Sequence, residues 1–275
     1  MTHKRTIYAV GVALIGMMAM SGCKLHNTND YENLMEHYMN KYGDVTLGDS
    51  KDAKYYVMGG ATLAASDVSE LNIDWVSGTV TIEAYDGTEV AISETSEDAL
   101  TDSTTMHYYL ESDGTLNIRF GIPGMKSQGE NLPDKSLLVR VPRTLRLDEV
   151  EMNGLGRSIQ MDSVRCSTLE MNSVSRQITL YECEIDDIEV NSVSTNVQAT
   201  FSKMPETVEL NNVSGSTLLY VPEDAGITLE YNGLISSFHS ELPVANKGKK
   251  KIIGNGACDI EGNSISGELA IKVKK

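Results

Sequence analysis

Five stretches in the middle of the chain follow one pattern. They are V-E-M-N-G-L-G from Val150, L-E-M-N-S-V-S from Leu169, I-E-V-N-S-V-S from Ile188, V-E-L-N-N-V-S from Val208 and a looser I-T-L-E-Y-N-G from Ile227. Their starts are 19, 19, 20 and 19 residues apart, the spacing of a stack of structural repeats. Two outliers, L-N-I-D-W-V-S-G from Leu71 and I-E-G-N-S-I-S-G from Ile260, belong to the same set. Apolar residues fall at the first, third and sixth positions. A second short alternation follows, as in Ile159/Met161, Ile178/Leu180 and Val197/Ala199. A period of two is the mark of strands, and no sustained helical period runs from Leu137 to Val221.

If each unit makes one turn of a solenoid, equivalent strands stack in parallel about 4.8 Å apart and equal positions meet. The first and third positions then point inward. They form the apolar ladders Val150/Leu169/Ile188/Val208/Ile227 and Met152/Met171/Val190/Leu210/Leu229. The fourth-position asparagines, Asn153, Asn172, Asn191, Asn211 and Asn263, are expected at a corner, where asparagine tolerates the left-handed conformation. A Ser/Gly ladder of Gly156, Ser175, Ser194, Ser214, Gly233 and Ser266 supplies small turn residues.

The second position must point outward, so Glu151, Glu170, Glu189 and Glu209 form a column, with Asp186, Asp187 and Glu206 close by. Like charges at that spacing repel by about 1 kcal/mol in bulk water. The column is therefore a candidate to collect divalent cations, with calcium the best match to carboxylate oxygens, or to meet a basic partner. Against this stands a solvated face screened by salt.

Thirty-nine acidic against twenty-three basic residues give a formal net charge of −16, which argues against a nucleic-acid backbone as partner. With 275 residues and 40% hydrophobic content the chain can bury a sizeable core.

The N-terminus is of another kind. A basic start, His3-Lys4-Arg5, precedes an apolar run from Ile7 to Met20 and a small-residue site ending in Ser21-Gly22-Cys23. The run falls short of the ~20 residues that span a bilayer, and its order is that of an export signal. The site resembles a bacterial lipobox. That resemblance implies a signal peptide over 1–22 and diacylglycerol on Cys23, and hence anchorage on the outer side of a bacterial membrane. Each buried methylene adds about 0.8 kcal/mol.

Residues 23–54 read as a polar tether with a short helix, because Tyr31, Leu34, Met35, Tyr38, Met39 and Tyr42 follow helical spacing behind Asp30. Residues 55–275 read as the solenoid domain, with N-terminal strands and turns over 55–135 and regular rungs with a C-terminal cap over 136–275. Asp86-Gly87 and Asp113-Gly114 are two-residue turn signals, and the loop Gly121 to Lys135 marks a seam. The closing strand alternates Ile271 and Val273 with Lys272 and Lys274, as suits a protected sheet edge. The run Lys247 to Lys251 reads as a solvated loop, with recruitment of an anionic polymer as the alternative.

Catalytic signals are thin. Gly154-Leu155-Gly156-Arg157 lacks the third glycine of a phosphate loop and reads as a turn. Cys166, Cys183 and Cys258 lack C-x-x-C spacing. Alignment by rung puts Cys166 and Cys183 roughly 8 Å apart, beyond the ~7 Å limit for a disulfide, so buried free thiols are expected.

Taken together, L-N-I-D-W-V-S-G-T-V-T-I, D-G-T-E-V-A-I-S-E, L-L-V-R-V-P, the serial N-S-V-S units and the closing S-I-S-G-E-L-A-I resemble a bacterial family of putative adhesins. The resemblance covers about Tyr55 to Lys275. It implies an all-β, right-handed parallel β-helix on a cell-envelope protein and brings no catalytic motif. The expectation is a noncatalytic, lipid-anchored surface protein without a cofactor, calcium aside. Its partner would be an extracellular polymer or an envelope protein. The alternatives are a carbohydrate-active β-helix enzyme and an envelope sensor or scaffold.

Overall fold

The computed structural model describes residues 44–47, 50–128, 132–174 and 176–275. The signal peptide, Cys23 and the helix expected over Tyr31 to Tyr42 lie outside them. The N-terminal part contributes β1 (Asp44–Leu47), β2 (Val57–Met58), β3 (Ala61–Ala64), β4 (Glu70–Trp75), β5 (Thr79–Tyr85), β6 (Glu89–Ser96), β7 (His107–Leu110), β8 (Thr115–Arg119), β9 (Met125–Gln128) and β10 (Lys135–Pro142). The repeats supply β11 (Leu147–Gly154), β12 (Ser158–Asp162), β13 (Arg165–Ser173), β14 (Gln177–Tyr181), β15 (Glu184–Ser194), β16 (Asn196–Thr200) and β17 (Thr207–Val221). The chain closes with β18 (Ile227–Ser240), β19 (Ala245–Lys247), β20 (Lys250–Ile253) and β21 (Cys258–Val273).

Each rung has two strands, and like strands pair in parallel with the rung above. On one face β8, β4, β11, β13 and β15 run side by side into the first half of β17. On the other, β10, β5, β12, β14 and β16 run into its second half. The apolar ladders follow the sequence pattern: Leu71, Val150, Leu169, Ile188 and Val208 stack in register, as do Ile73, Met152, Met171, Val190 and Leu210. All ten are buried. The core is the seam between the two faces, filled by alternate residues from both.

At both ends spatial order departs from chain order. The neighbour of β17 is β21, paired in register at fourteen positions between Thr207↔Asp259 and Val221↔Val273. The outermost long strand is β18, which pairs with the far side of β21. Leu229, not Ile227, thus stands level with Ile260 and Val208, and Gly233 meets Ser264 rather than Ser266. The closing strand is therefore internal as far as Ile271, while Lys272 lies beyond the last β18 pair and has its strand partner on β17. At the third position of this rung Leu210, Gly262 and Tyr231 align. A Cβ on Gly262 would lie 2.5 Å from Cδ2 of Tyr231, so the missing side chain makes room for the ring.

The N-terminal end is arranged likewise. β8 and β10 belong to one rung that packs outside β4 and β5, so Gly121 to Lys135 links the two faces of a single rung. Antiparallel strands close this end: β7 on β8, β2 on β7, β6 on β10 and β3 on β6. Asp113-Gly114 makes a hairpin, with Glu111 N–H donating to Thr115 O at 3.0 Å and Gly114 at φ +95°. That leaves a three-residue loop rather than the two-residue turn of the sequence reading. At Asp86-Gly87 the chain instead changes partner, because β5 and β6 flank β10 on opposite sides.

Candidate functional site

The second and fourth positions of each rung share the outer side of the first face, since side chains alternate along a strand. Glu151, Glu170, Glu189, Glu209 and Glu261 stand in register, and Glu230 follows on β18. Two residues on in each strand, Asn153, Asn172, Asn191, Asn211, Asn263 and Asn232 form a second column beside the first.

The asparagines do not occupy a corner. Among the described residues the non-glycine positions with positive φ are Ser163 (57°) and Glu182 (52°), and these take the turn between the second strand of one rung and the next. The asparagines stay in extended strand because a primary amide can bond along the stack. Asn172 Nδ2 donates to Asn153 Oδ1 at 3.2 Å, Asn191 to Asn172 at 3.1 Å, Asn211 to Asn191 at 3.0 Å and Asn263 to Asn211 at 3.0 Å. The same nitrogen gives its other hydrogen to the glutamate of its own strand. These bonds measure 3.2 Å to Glu151, 3.1 Å to Glu170, 2.7 Å to Glu189 and 2.8 Å to Glu209.

Each glutamate is thus held by a neutral donor through Oε1 and is not merely splayed into water. For Glu170, Glu189 and Glu209, Oε2 has no protein donor among the described residues. Exposure grows along the column: Glu151 is 4% exposed, Glu170 and Glu189 are half-buried, and Glu209 is exposed. Among the described residues no group of three or more His, Cys, Asp or Glu is arranged around a metal position.

Toward the N-terminal end the pattern changes sign. Asn72 and Asp74 replace Glu and Asn, so that Asn72 donates to Glu151 at 2.8 Å and Asn153 to Asp74 at 3.1 Å. Arg119 of β8 then closes the column, with Nε 3.1 Å from Asp74 and Nη1 donating to Asn72 Oδ1 at 2.9 Å. Beside the column Asp186 is paired with Arg146 at 2.5 Å, and Asp187 accepts from Thr207 at 2.5 Å. These two carboxylates are therefore already partnered.

Cys166 and Cys183 are buried free thiols, as the rung alignment expects, and Cys258 is a third. Burial pushes them up to about 12, 11 and 12 respectively, so none is a nucleophile at neutral pH. His107 lies on β7 and His239 on β18, at opposite ends of the stack.

One cluster escapes the sequence reading. Lys135, 1% exposed, reaches into the N-terminal end and donates to Glu94 Oε2 at 2.6 Å, to Thr104 O at 2.5 Å and to Phe120 O. Its ammonium also faces the Trp75 ring at 4.7 Å and the Phe120 ring at 4.2 Å. Burial holds its pKa below the ordinary lysine value, opposed by the bond to Glu94 and the Glu94 charge. With every proton used inside the protein, the cluster ties β10 to β6 and to the 104–120 segment. The only sequence signal for it is a lysine at the head of an apolar strand.

A two-faced stack of parallel rungs, with an aliphatic seam and a polar ladder on one outer side, defines a β-solenoid repeat protein. The chain belongs to the Toastrack DUF4097 family, whose model matches residues 68–219 and 139–272. No curated protein is significantly similar in sequence. Two crystal structures are similar at 12% identity. One, a "putative cell adhesion protein" from Clostridium sporogenes ATCC 15579, has a TM-score of 0.47 and covers 80% of this chain and 100% of its own. The other, a "putative adhesin" from Bacteroides fragilis NCTC 9343, has a TM-score of 0.25 and covers 80% and 98%.

Proposed function

We propose that this is a noncatalytic cell-envelope protein, anchored through lipid on Cys23, that presents its glutamate–asparagine face to an extended partner. The observation that carries the reading is the register of that face. Carboxylates recur in consecutive rungs from Glu151 to Glu209, each braced by an asparagine and several with an oxygen left for an outside donor. A rigid row of acceptors at a repeat of about 4.8 Å suits an elongated molecule carrying repeated donors, such as a cationic or hydroxyl-rich polymer. Bracing lowers the entropy lost on binding, since the side chains are already ordered. The N-terminal sequence Ser21-Gly22-Cys23 supports the anchor.

Two experiments test this reading. Metabolic labelling with a radioactive fatty acid should mark the parent and not Cys23→Ala; equal labelling would remove the anchor. Binding to immobilised chitosan and to dextran should be measured for the parent and for Glu170→Gln with Glu189→Gln. Retention of the parent on either polymer that is lost in the variant supports the presenting face. Equal behaviour of both proteins on both polymers places the binding surface elsewhere, and release of new reducing ends would replace the noncatalytic reading by an enzymatic one.

A further inference from the structure

The two ends of the solenoid carry opposite charge, and among the described residues both leave strand edges open. At the C-terminal end β18 is paired with β21 on its inner side. Its outer side meets β20 only at Ile227, Thr228 and Leu229, and among the described residues no strand covers the rest of that edge. The adjoining β19–β20 hairpin exposes Lys247, Lys249 and Lys250. Between residues 227 and 275 seven lysines stand against five acidic residues.

The N-terminal end is the reverse. Its outermost strands, β2 and β3, pair among the described residues only with β7 and β6 respectively. From residue 53 to residue 143 fourteen acidic residues stand against six basic ones, and Asp74, Glu83, Asp86 and Glu94 are paired with Arg119, Arg140, Arg143 and Lys135. Asp67 just after β3 and Glu89, opposite Ala64 on β6, are exposed, as are Glu97, Asp98 and Asp102. Apolar surface gathers there too: Tyr55, Val57 and Met58 are 49%, 53% and 50% exposed.

Strand direction decides which pairing of ends is possible. Two antiparallel steps, β10 to β6 and β6 to β3, leave β3 parallel to β10. Every step from β10 through β5, β12, β14, β16, β17 and β21 to β18 is parallel. A second copy moved along the stack without inversion therefore sets its β3 beside the outer edge of β18 in the sense all rungs share. A two-fold pairing of two β18 edges would instead bring two lysine hairpins together, which like-charge repulsion opposes.

We infer that the chain associates with a second copy of itself head to tail, the lysine hairpin and outer β18 edge of one docking on the acidic N-terminal end of the next. β3 is only four residues long, so strand pairing is short and charge supplies most of the selectivity. The contact does not close on itself and can extend to short arrays. It is independent of the glutamate face, which lies along the side of the stack.

Sedimentation velocity of the full chain, in detergent with empty micelles in excess, tests the idea from micromolar to submillimolar protein. At low salt the parent should self-associate, and the association constant should fall at least about tenfold at high salt, where charges more than ~3 Å apart are screened. Lys249→Glu with Lys250→Glu, and separately Asp67→Lys with Glu89→Lys, should each weaken association by a similar factor. Mixing the two reversed proteins should restore it between them. A parent that stays monomeric at low salt overturns the inference, as does association that ignores both reversals or a mixture that fails to recover.

Discussion

Replacing Lys135 by methionine should destabilise the N-terminal end more than any surface substitution could. Methionine fills the space between Trp75 and Phe120, but Glu94 loses its cation and keeps, among its described donors, the Met106 N–H at 2.7 Å. The carbonyls of Thr104 and Phe120 lose their donor as well. Breaking a buried ion pair from one side costs about 3–5 kcal/mol, because the remaining charge is left without compensation. Neutralising both partners, Lys135→Met with Glu94→Gln, removes that charge and should recover at least about half of the loss. Trp75 is the chain's only tryptophan and packs edge-on against Phe120 with ring centroids 5.1 Å apart, so its fluorescence reports this end, while far-UV circular dichroism reports the whole stack. In urea, with m of about 3 kcal/mol/M, the fluorescence midpoint of the single variant should fall by about 1–2 M. The dichroism transition should move less, since repeat stability is carried by neighbouring rungs. An unchanged fluorescence midpoint, or a double variant as weak as the single one, would refute the reasoning.

Three further outcomes follow from the packing and the outer face. Gly262→Val should cost about 1–3 kcal/mol by overpacking against Tyr231, and thermal melts with Tyr231→Ala in the same chain should show part of that loss returned. The three buried thiols should resist Ellman's reagent in the native protein. Their folded pKa values of about 11 to 12 stand above the ordinary 9.0, so above pH 9 the unfolded chain loses protons that the folded chain keeps. Stability should therefore fall as pH rises from 9 toward 12, and Cys166→Ala should flatten that slope in pH-dependent urea titrations. Glu170→Gln with Glu189→Gln should stabilise the calcium-free protein by about 1 kcal/mol at low salt by relieving repulsion between rungs, and calcium should raise the melting temperature of the parent but not of the variant. Equal calcium responses would mean that the carboxylate column holds no cation.

The solenoid, its inward ladders and the outward glutamates were legible from sequence, because a stacked repeat places equal positions at equal heights and a period of two assigns each residue a side. The 19-residue count nevertheless misplaced the last rungs. Leu229-Glu230-Tyr231-Asn232 matches the glutamate–asparagine columns when Leu229 is taken as the first position, and the structure follows that match rather than the count from Ile227. Counting cannot reveal which strand lies beside which, and the insertion of β21 between β17 and β18 brings Gly262 against a ring thirty-one residues earlier. The same limit hid the asparagine role: left-handed corner and strand ladder use the same residue, and only stacking in register offers each amide a carbonyl from the rung below. Lys135 and Glu94 are likewise forty-one residues apart, and nothing local to either marks them as a pair. Sequence by itself determined what repeats and which way each side chain points, because those follow from local periodicity. Strand order at the two ends and the buried ion pair were decided by tertiary structure, because they depend on volume and charge brought together from distant parts of the chain.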